Sequence, residues 1–404
     1  MIKKIDGGVT AAKGFLANGL HCGVRKNPGK KDLALIYSEI PAAAAAVYTT
    51  NLVKGAPITV DRKHLENGVA QAVICNSGNA NTCNADGIEV AEKMAALTAD
   101  VLKIKAEDVL VASTGVIGQP LDIEPIATHL EALASGLSTN GHSAAEAIMT
   151  TDTVAKEVAV QFEIDGKTCS LGGIAKGSGM IHPNMATMLV FLTTDCAISA
   201  EMLQKALSAD VQNTFNMTSV DGDTSTNDTV AILANGKAGN AEITAEGEAF
   251  EIFMKALNTV TVDLCRRIAA DGEGATKLLE CKVSGAPDVA IAKTVAKSIV
   301  CSSLVKAAMF GADANWGRIL CAIGYSGAKV DVTKIEVQFS SKAGDILVCK
   351  NGAGVAFSEE LAKKILLEEE IDVLVDLHDG EAISTAWGCD LTYDYVKING
   401  DYRT

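Results

Sequence analysis

Lys176-Gly177-Ser178-Gly179-Met180-Ile181-His182-Pro183-Asn184-Met185-Ala186-Thr187-Met188-Leu189-Val190-Phe191-Leu192 runs from a glycine-rich loop, through a proline, into an unbroken apolar run. A short apolar run behind turn signals reads as a buried strand. At the junction stand a small residue, Ala186, and a hydroxyl residue, Thr187. A threonine hydroxyl at the start of a rigid strand can attack the carbonyl just before it. Scission of the Ala186-Thr187 bond would give Thr187 a free α-amine beside its own hydroxyl. A threonine activated by its own N-terminal amine is a competent nucleophile. The bland alternative is a core threonine bonded to a neighbouring carbonyl. A lone Ala-Thr pair does not decide between them, so the rest of the chain must.

Outside this stretch, 404 residues are enough for a large core and two domains. Hydrophobic content of 48% with only 4% aromatic residues predicts an aliphatic core. A net charge of -15 argues against nucleic acid or an anionic membrane as partner, because both attract basic surfaces. The eleven cysteines form no Cys-x-x-Cys, and several sit inside apolar runs, so they read as reduced, buried thiols. The six histidines have no ligand-like spacing, and no metal is expected. The N-terminus lacks the apolar stretch of a signal peptide, and no apolar run reaches the ~18 residues of a membrane span, so a cytoplasmic protein is expected.

Strands are expected at Leu33 to Tyr37, Ala45 to Tyr48, Val69 to Cys75 and Asp108 to Ala112. Further strands are expected on either side of Asp165-Gly166-Lys167, at Thr229 to Leu233, Val330 to Phe339, Asp345 to Cys349 and Ile371 to Leu377. Helical periodicity marks Ala85 to Leu102, Glu124 to Leu137, Ala144 to Met149, Ala200 to Gln212, Ala245 to Ala270, Val289 to Met309 and Glu359 to Leu367. Leu391 to Asn399 alternates apolar and polar residues, as a half-buried strand would. Three loops carry small or polar side chains: Asn76 to Asn81, Ser113 to Gly118 and Val220 to Asp228. A glycine turn after a strand, as in Ser113-Thr114-Gly115, can aim backbone N–H groups at one point, which is what an oxyanion hole requires. Glu273 stands between two glycines after the long helix. Strands and helices do not alternate regularly, so layered α+β packing is expected over a doubly wound sheet.

Eight pieces in order resemble the ornithine acetyltransferase / glutamate N-acetyltransferase family: Thr49-Thr50-Asn51, Asn76 to Asn81, Ser113 to Gly118, Lys176 to Leu189, Val220 to Asp228, Asp271 to Thr276, Asn315-Trp316-Gly317-Arg318 and Tyr402-Arg403-Thr404. The resemblance covers essentially the whole chain; Gly55 departs from it, standing where the family pattern has alanine. It implies self-cleavage at Ala186-Thr187 into fragments 1–186 and 187–404 that stay associated, with Thr187 as nucleophile. It implies Thr114 and Gly115 as the oxyanion-hole pair, and substrate contacts at Thr153, Lys176, Thr187, Glu273, Asn399 and Thr404. The implied fold is a layered α/β sandwich resembling N-terminal-nucleophile hydrolases, with residues 1–280 as main body and 281–404 as a smaller C-terminal α/β lobe whose tail returns to the active site. The implied assembly is a heterotetramer of two cleaved pairs.

The implied activity moves an acetyl group from N2-acetylornithine to glutamate by a ping-pong route through acetyl-Thr187, in arginine biosynthesis. No cofactor is expected; acetyl-CoA is a candidate co-substrate. Two other classes remain open at this point: a self-cleaving aminopeptidase or amidase in which water deacylates the threonine, and an inactive amino-acid-binding relative.

Overall fold

The computed structural model describes residues 1–182 and 188–400. Its strands are β1 (Lys3–Ile5), β2 (Phe15–Leu20), β3 (Leu33–Tyr48), β4 (Val69–Asn79), β5 (Val109–Val116), β6 (Lys156–Ile164), β7 (Lys167–Lys176), β8 (Leu189–Thr194), β9 (Thr229–Ala234), β10 (Leu278–Ala286), β11 (Glu336–Ser341), β12 (Gly344–Lys350), β13 (Ala353–Gly354), β14 (Glu370–Asp376) and β15 (Ala382–Cys389). The helices are α1 (Ala56–His64), α2 (Gly87–Leu102), α3 (Glu124–Ser135), α4 (His142–Ala147), α5 (Ala200–Val211), α6 (Glu248–Ala270), α7 (Val289–Cys301), α8 (Ser303–Phe310), α9 (Trp316–Gly324), α10 (Glu359–Leu366) and α11 (Tyr393–Asn399).

Two sheets carry the architecture. Among the described residues the first has nine strands in the order β1-β6-β7-β8-β9-β3-β4-β5, with β2 pairing β3. The second has six, in the order β13-β12-β11-β14-β10-β15. It begins at Leu278, directly after the loop that carries Glu273. The expectation of a layered α/β protein without regular strand-helix alternation therefore holds.

β8 shows why its sequence is continuously apolar. Val190 and Leu192 point into the core shared with α5 and α6, while Leu189 and Phe191 point into a second core on the opposite face. A strand covered on both sides needs no polar alternation. Helix α6 lies between the sheets, packing on β6 and β7 of one and β10 and β15 of the other. Its buried residues include Phe253, Leu257, Val260, Leu264 and Ile268, spaced as one helical face. Phe253 meets Phe162 edge to face at 6.3 Å. Truncating such a fully buried phenylalanine to alanine costs about 3–5 kcal/mol.

Three expectations are corrected. The two segments at Leu33 to Tyr37 and Ala45 to Tyr48 are one strand, β3, with a register shift between Tyr37 and Ala42 where Pro41 interrupts the ladder. The single helix expected from Val289 to Met309 is broken at Ser302, whose side chain accepts the Val305 N–H and caps α8. The tail expected as a strand from Leu391 to Asn399 is helix α11. Its alternation finds no sheet edge, and Tyr393 and Val396 are exposed. Helical spacing instead puts Tyr395 and Asn399 on one face, toward Asp221 and Glu273. None of the eleven cysteines is paired; Cys83 and Cys321 are exposed, Cys301 is partly exposed and the others are buried. Among the described residues no helix is long and apolar enough to cross a membrane.

Candidate active site

The parallel pair β4 and β5 aligns Ser77 with Thr114 and Gly78 with Gly115, then shifts register at Asn79. Gly115 has φ of +134°, and a Cβ there would overlap the Gly78 carbonyl carbon and the Asn79 nitrogen. Only glycine fits this turn, for conformation and for space. Asn227 fixes it from the side. Its Nδ2 donates to the Ala80 carbonyl at 2.6 Å and the Ser113 carbonyl at 2.9 Å. Its Oδ1 accepts from the Thr82 and Thr226 hydroxyls, both at 2.6 Å. Asn227 also explains the departure at Gly55: a Cβ there would lie 2.5 Å from its Nδ2.

Lys176 ends β7, paired with Leu189 at the start of β8. Its buried ammonium donates to the Thr114 hydroxyl at 3.4 Å. The following loop rests on buried charge. The Gly177 N–H donates to Asp152 Oδ1 at 2.7 Å. Lys156, wholly buried, joins Asp152 at 2.7 Å and Asp271 at 2.5 Å. Burial alone would raise the Asp152 carboxyl; the Lys156 and Lys176 ammoniums and the Thr150 N–H outweigh it and hold the group at about 2. Ser178 donates its hydroxyl to the Asp271 carbonyl at 2.7 Å, and the Glu273 N–H donates to the Ser178 carbonyl at 3.0 Å.

This brings the Glu273 carboxylate against Gly179, where any Cβ would overlap it. Asn399 of α11 donates to Glu273 Oε2 at 2.7 Å. Asp221 holds the next turn, accepting the Met180 N–H at 2.6 Å, the Ile181 N–H at 2.9 Å and the Tyr395 hydroxyl at 3.2 Å. Met180 sits at φ of +56°, a conformation these bonds maintain. Asp228 lies fully buried near Lys176, pushed well above the ordinary carboxylate range by burial. Its Oδ2 has no hydrogen-bond partner among the described residues.

Thr114, Gly115, Lys176, Glu273 and Asn399 thus line one cavity, together with Thr150, Thr151 and Asn227. Thr153 is not on that lining. It faces adjoining clefts and donates its N–H and hydroxyl to Asp271. The expectations for Ala186, Thr187 and Thr404 lie outside the described residues.

The ArgJ family model matches residues 16–404. The chain belongs to the ArgJ family. An arginine biosynthesis bifunctional protein ArgJ from Caldanaerobacter subterraneus subsp. tengcongensis is 53% identical over 402 residues, 99% of each chain. Another, ArgJ 1 of Clostridium acetobutylicum, is 52% identical over 398 residues, 98% of this chain and 97% of that one. A solved structure of the Bacillus halodurans arginine biosynthesis bifunctional protein argJ is 49% identical, covers 52% of this chain and 96% of that chain, and superposes with a TM-score of 0.49. In this ArgJ-family chain, sequence reasoning missed Asn227, Asp221 and the Asp152-Lys156-Asp271 cluster. Asn227 and Asp221 sit in a segment whose hydroxyls and carboxylates read as local caps. Lys156, in a strand of ordinary appearance, gave no signal at all.

Proposed function

We propose that this chain is the acetyltransferase that passes the acetyl group of N2-acetylornithine to glutamate in arginine biosynthesis, and that it also acetylates glutamate from acetyl-CoA. The observation that carries the reading is the convergence of Thr114, Gly115, Lys176, Glu273 and Asn399, from four separate parts of the chain, on a single cavity. A carboxylate and an ammonium on the walls of one cavity suit an amino-acid substrate: Glu273 for its ammonium, Lys176 for its carboxylate.

In this mechanism Thr187 Oγ attacks the acetyl carbonyl. Its own α-amine, with an ordinary pKa of ~7.7–8.0, takes the hydroxyl proton and passes it to the leaving amine. Thr114 and Gly115 hold the oxyanion, where one donor contributes roughly 2.7–4 kcal/mol in comparable enzymes. Ornithine departs, the acetyl ester stays on Thr187, and the glutamate amine takes it. Maturation is the same chemistry with Ala186 as acyl donor, giving fragments 1–186 and 187–404. By the same resemblance the cleaved pair assembles as a dimer of pairs, Thr153 and Thr404 belong to the substrate contacts, and the enzyme works in the cytoplasm.

Incubation with N-acetylornithine, with and without glutamate, tests this. Transfer predicts that ornithine release beyond the first turnover depends on glutamate and yields N-acetylglutamate. Acetate released at one rate in both cases would make the enzyme an amidase. Turnover by a Thr187→Ala variant would remove Thr187 from the mechanism.

A further inference from the structure

In a chain of net charge -15, the segment from Arg25 to Lys31 holds four cations, Arg25, Lys26, Lys30 and Lys31, and no acid. Side chains of Asp32 and Asn27 hydrogen-bond the loop backbone. The wholly buried Asp32 accepts the N–H groups of Cys22 at 2.6 Å, Gly23 at 3.2 Å and Arg25 at 2.8 Å. Asn27 Oδ1 accepts the Gly29 N–H at 2.9 Å. Lys31 pairs with Glu146. Lys26 and Lys30 are exposed, and among the described residues neither has a carboxylate within 4.0 Å. Both lysines branch from a loop whose backbone bonds go to Asp32 and Asn27.

The loop is joined to the catalytic cavity. A Cβ on Gly78, the residue opposite Gly115, would lie 2.6 Å from the Arg25 Cγ, so the Arg25 stem packs over the oxyanion turn. Its guanidinium donates to the Met149 and Thr150 carbonyls, both at 3.0 Å. One cleft runs along Arg25, Lys30 and Lys31 to Thr150 and Thr151. Those two threonines also line the cavity of Thr114 and Lys176. A second cleft on the other side of Arg25 is lined by Lys26, Lys30 and Gly78, with Asp122 as its acid. Glu146 and Asp152 also line the first cleft; Glu146 is committed to Lys31 and Asp152 to Lys156, which leaves Lys30 as the cleft's unmatched cation beside Arg25.

We propose that the Arg25–Lys31 loop docks the phosphates of acetyl-CoA, with the pantetheine arm passing Thr150 and Thr151 to deliver the thioester to the cavity. The proposal rests on the two-donor reading above. Most of this acidic surface repels a polyanion; this loop is a place that attracts one, beside the cavity and outside it. Neither N-acetylornithine nor glutamate carries phosphate, so the exchange reaction has no use for it. The step it serves balances simply: Thr187 Oγ forms a bond to the acetyl carbon, the C–S bond breaks, and the Oγ proton ends on the coenzyme A sulfur.

The test uses the cleaved wild-type enzyme and a Lys26→Gln/Lys30→Gln variant, both positions being exposed. The readouts are coenzyme A binding by calorimetry and the two acetyl transfers side by side. The variant is expected to weaken coenzyme A binding and raise the acetyl-CoA KM about tenfold, as two exposed charge pairs allow. The KM values for N-acetylornithine and glutamate should stay within about twofold. Added salt should weaken coenzyme A binding to the wild type more than to the variant. A wild-type enzyme that uses acetyl-CoA, and a variant with the same acetyl-CoA KM, would overturn the docking site and leave the two-donor reading intact. A wild-type enzyme that neither binds coenzyme A nor acetylates glutamate from acetyl-CoA would overturn both.

Discussion

Replacing Lys156 by methionine should expose how the floor of the site is held. The Lys156 side chain is 0% exposed, and its two partners, Asp152 and Asp271, are 0% and 6% exposed. Methionine fills similar space but leaves two carboxylates buried without their cation. Breaking a buried pair from one side costs about 3–5 kcal/mol. The loss should depend on pH. In the wild type, Asp152 is held at about 2, below its ordinary value of 3.8. A carboxyl lowered on folding contributes stability that is full above its unfolded value and is lost as pH falls through its folded one. Here that is about 2 kcal/mol, retained from pH 7 down to about 4 and lost toward pH 2. In the variant the sign reverses for Asp152: burial without the Lys156 ammonium pushes its carboxyl up, so the penalty is full at pH 7 and is relieved as pH falls and it protonates. Thermal and urea unfolding would be measured at pH 7 and pH 4 in a Thr187→Ala background, where the expected scission is blocked and a single chain unfolds. The stability gap should narrow by at least half at pH 4. A gap of equal size at both pH values, or one below about 1 kcal/mol at pH 7, would refute the electrostatic account.

Gly115→Ala places a Cβ on the Gly78 carbonyl and should lower kcat by about 10²–10³-fold, the worth of one oxyanion donor, in a steady-state assay of acetyl transfer. Gly179→Ala pushes against the movable end of Glu273 and not against backbone, so it should raise the N-acetylornithine KM while the thermal midpoint and self-cleavage stay near wild type. Asn227→Ala orphans the buried Ala80 and Ser113 carbonyls at roughly 1–3 kcal/mol each, and gel analysis should show slowed self-cleavage along with lower stability. A C-terminal tag extends the chain past Thr404, and it should raise substrate KM with self-cleavage unchanged; equal constants for tagged and untagged enzyme would remove Thr404 from the site.

Local patterns were legible wherever a local cause decides the structure. The apolar run Leu189 to Leu192 read as a buried strand and Ser113-Thr114-Gly115 as a glycine turn, and both are there. The long period of α6 was readable from Phe250 to Ile268, because one helical face pays for its own recognition with a repeat. The tail was not readable in this way. Leu391 to Asn399 fits either period, and partners distant in sequence, Asp221 and Glu273, chose the helix. The bond from the Thr153 hydroxyl to Asp271 was likewise not readable, because it joins residues far apart in the chain.

The sequence by itself determined the aliphatic core, the apolar strand from Leu189 to Leu192 and the glycine turn at Gly115, because each depends on residues adjacent in the chain. The tertiary structure decided which charges meet. It brought Lys156 to Asp152 and Asp271, Asn227 to the Gly115 turn, and the basic loop at Arg25 to the edge of the cavity. The reason is physical: Lys156 and the Ser113 carbonyl each depend on a partner more than a hundred residues away, and no periodicity in the chain encodes that meeting.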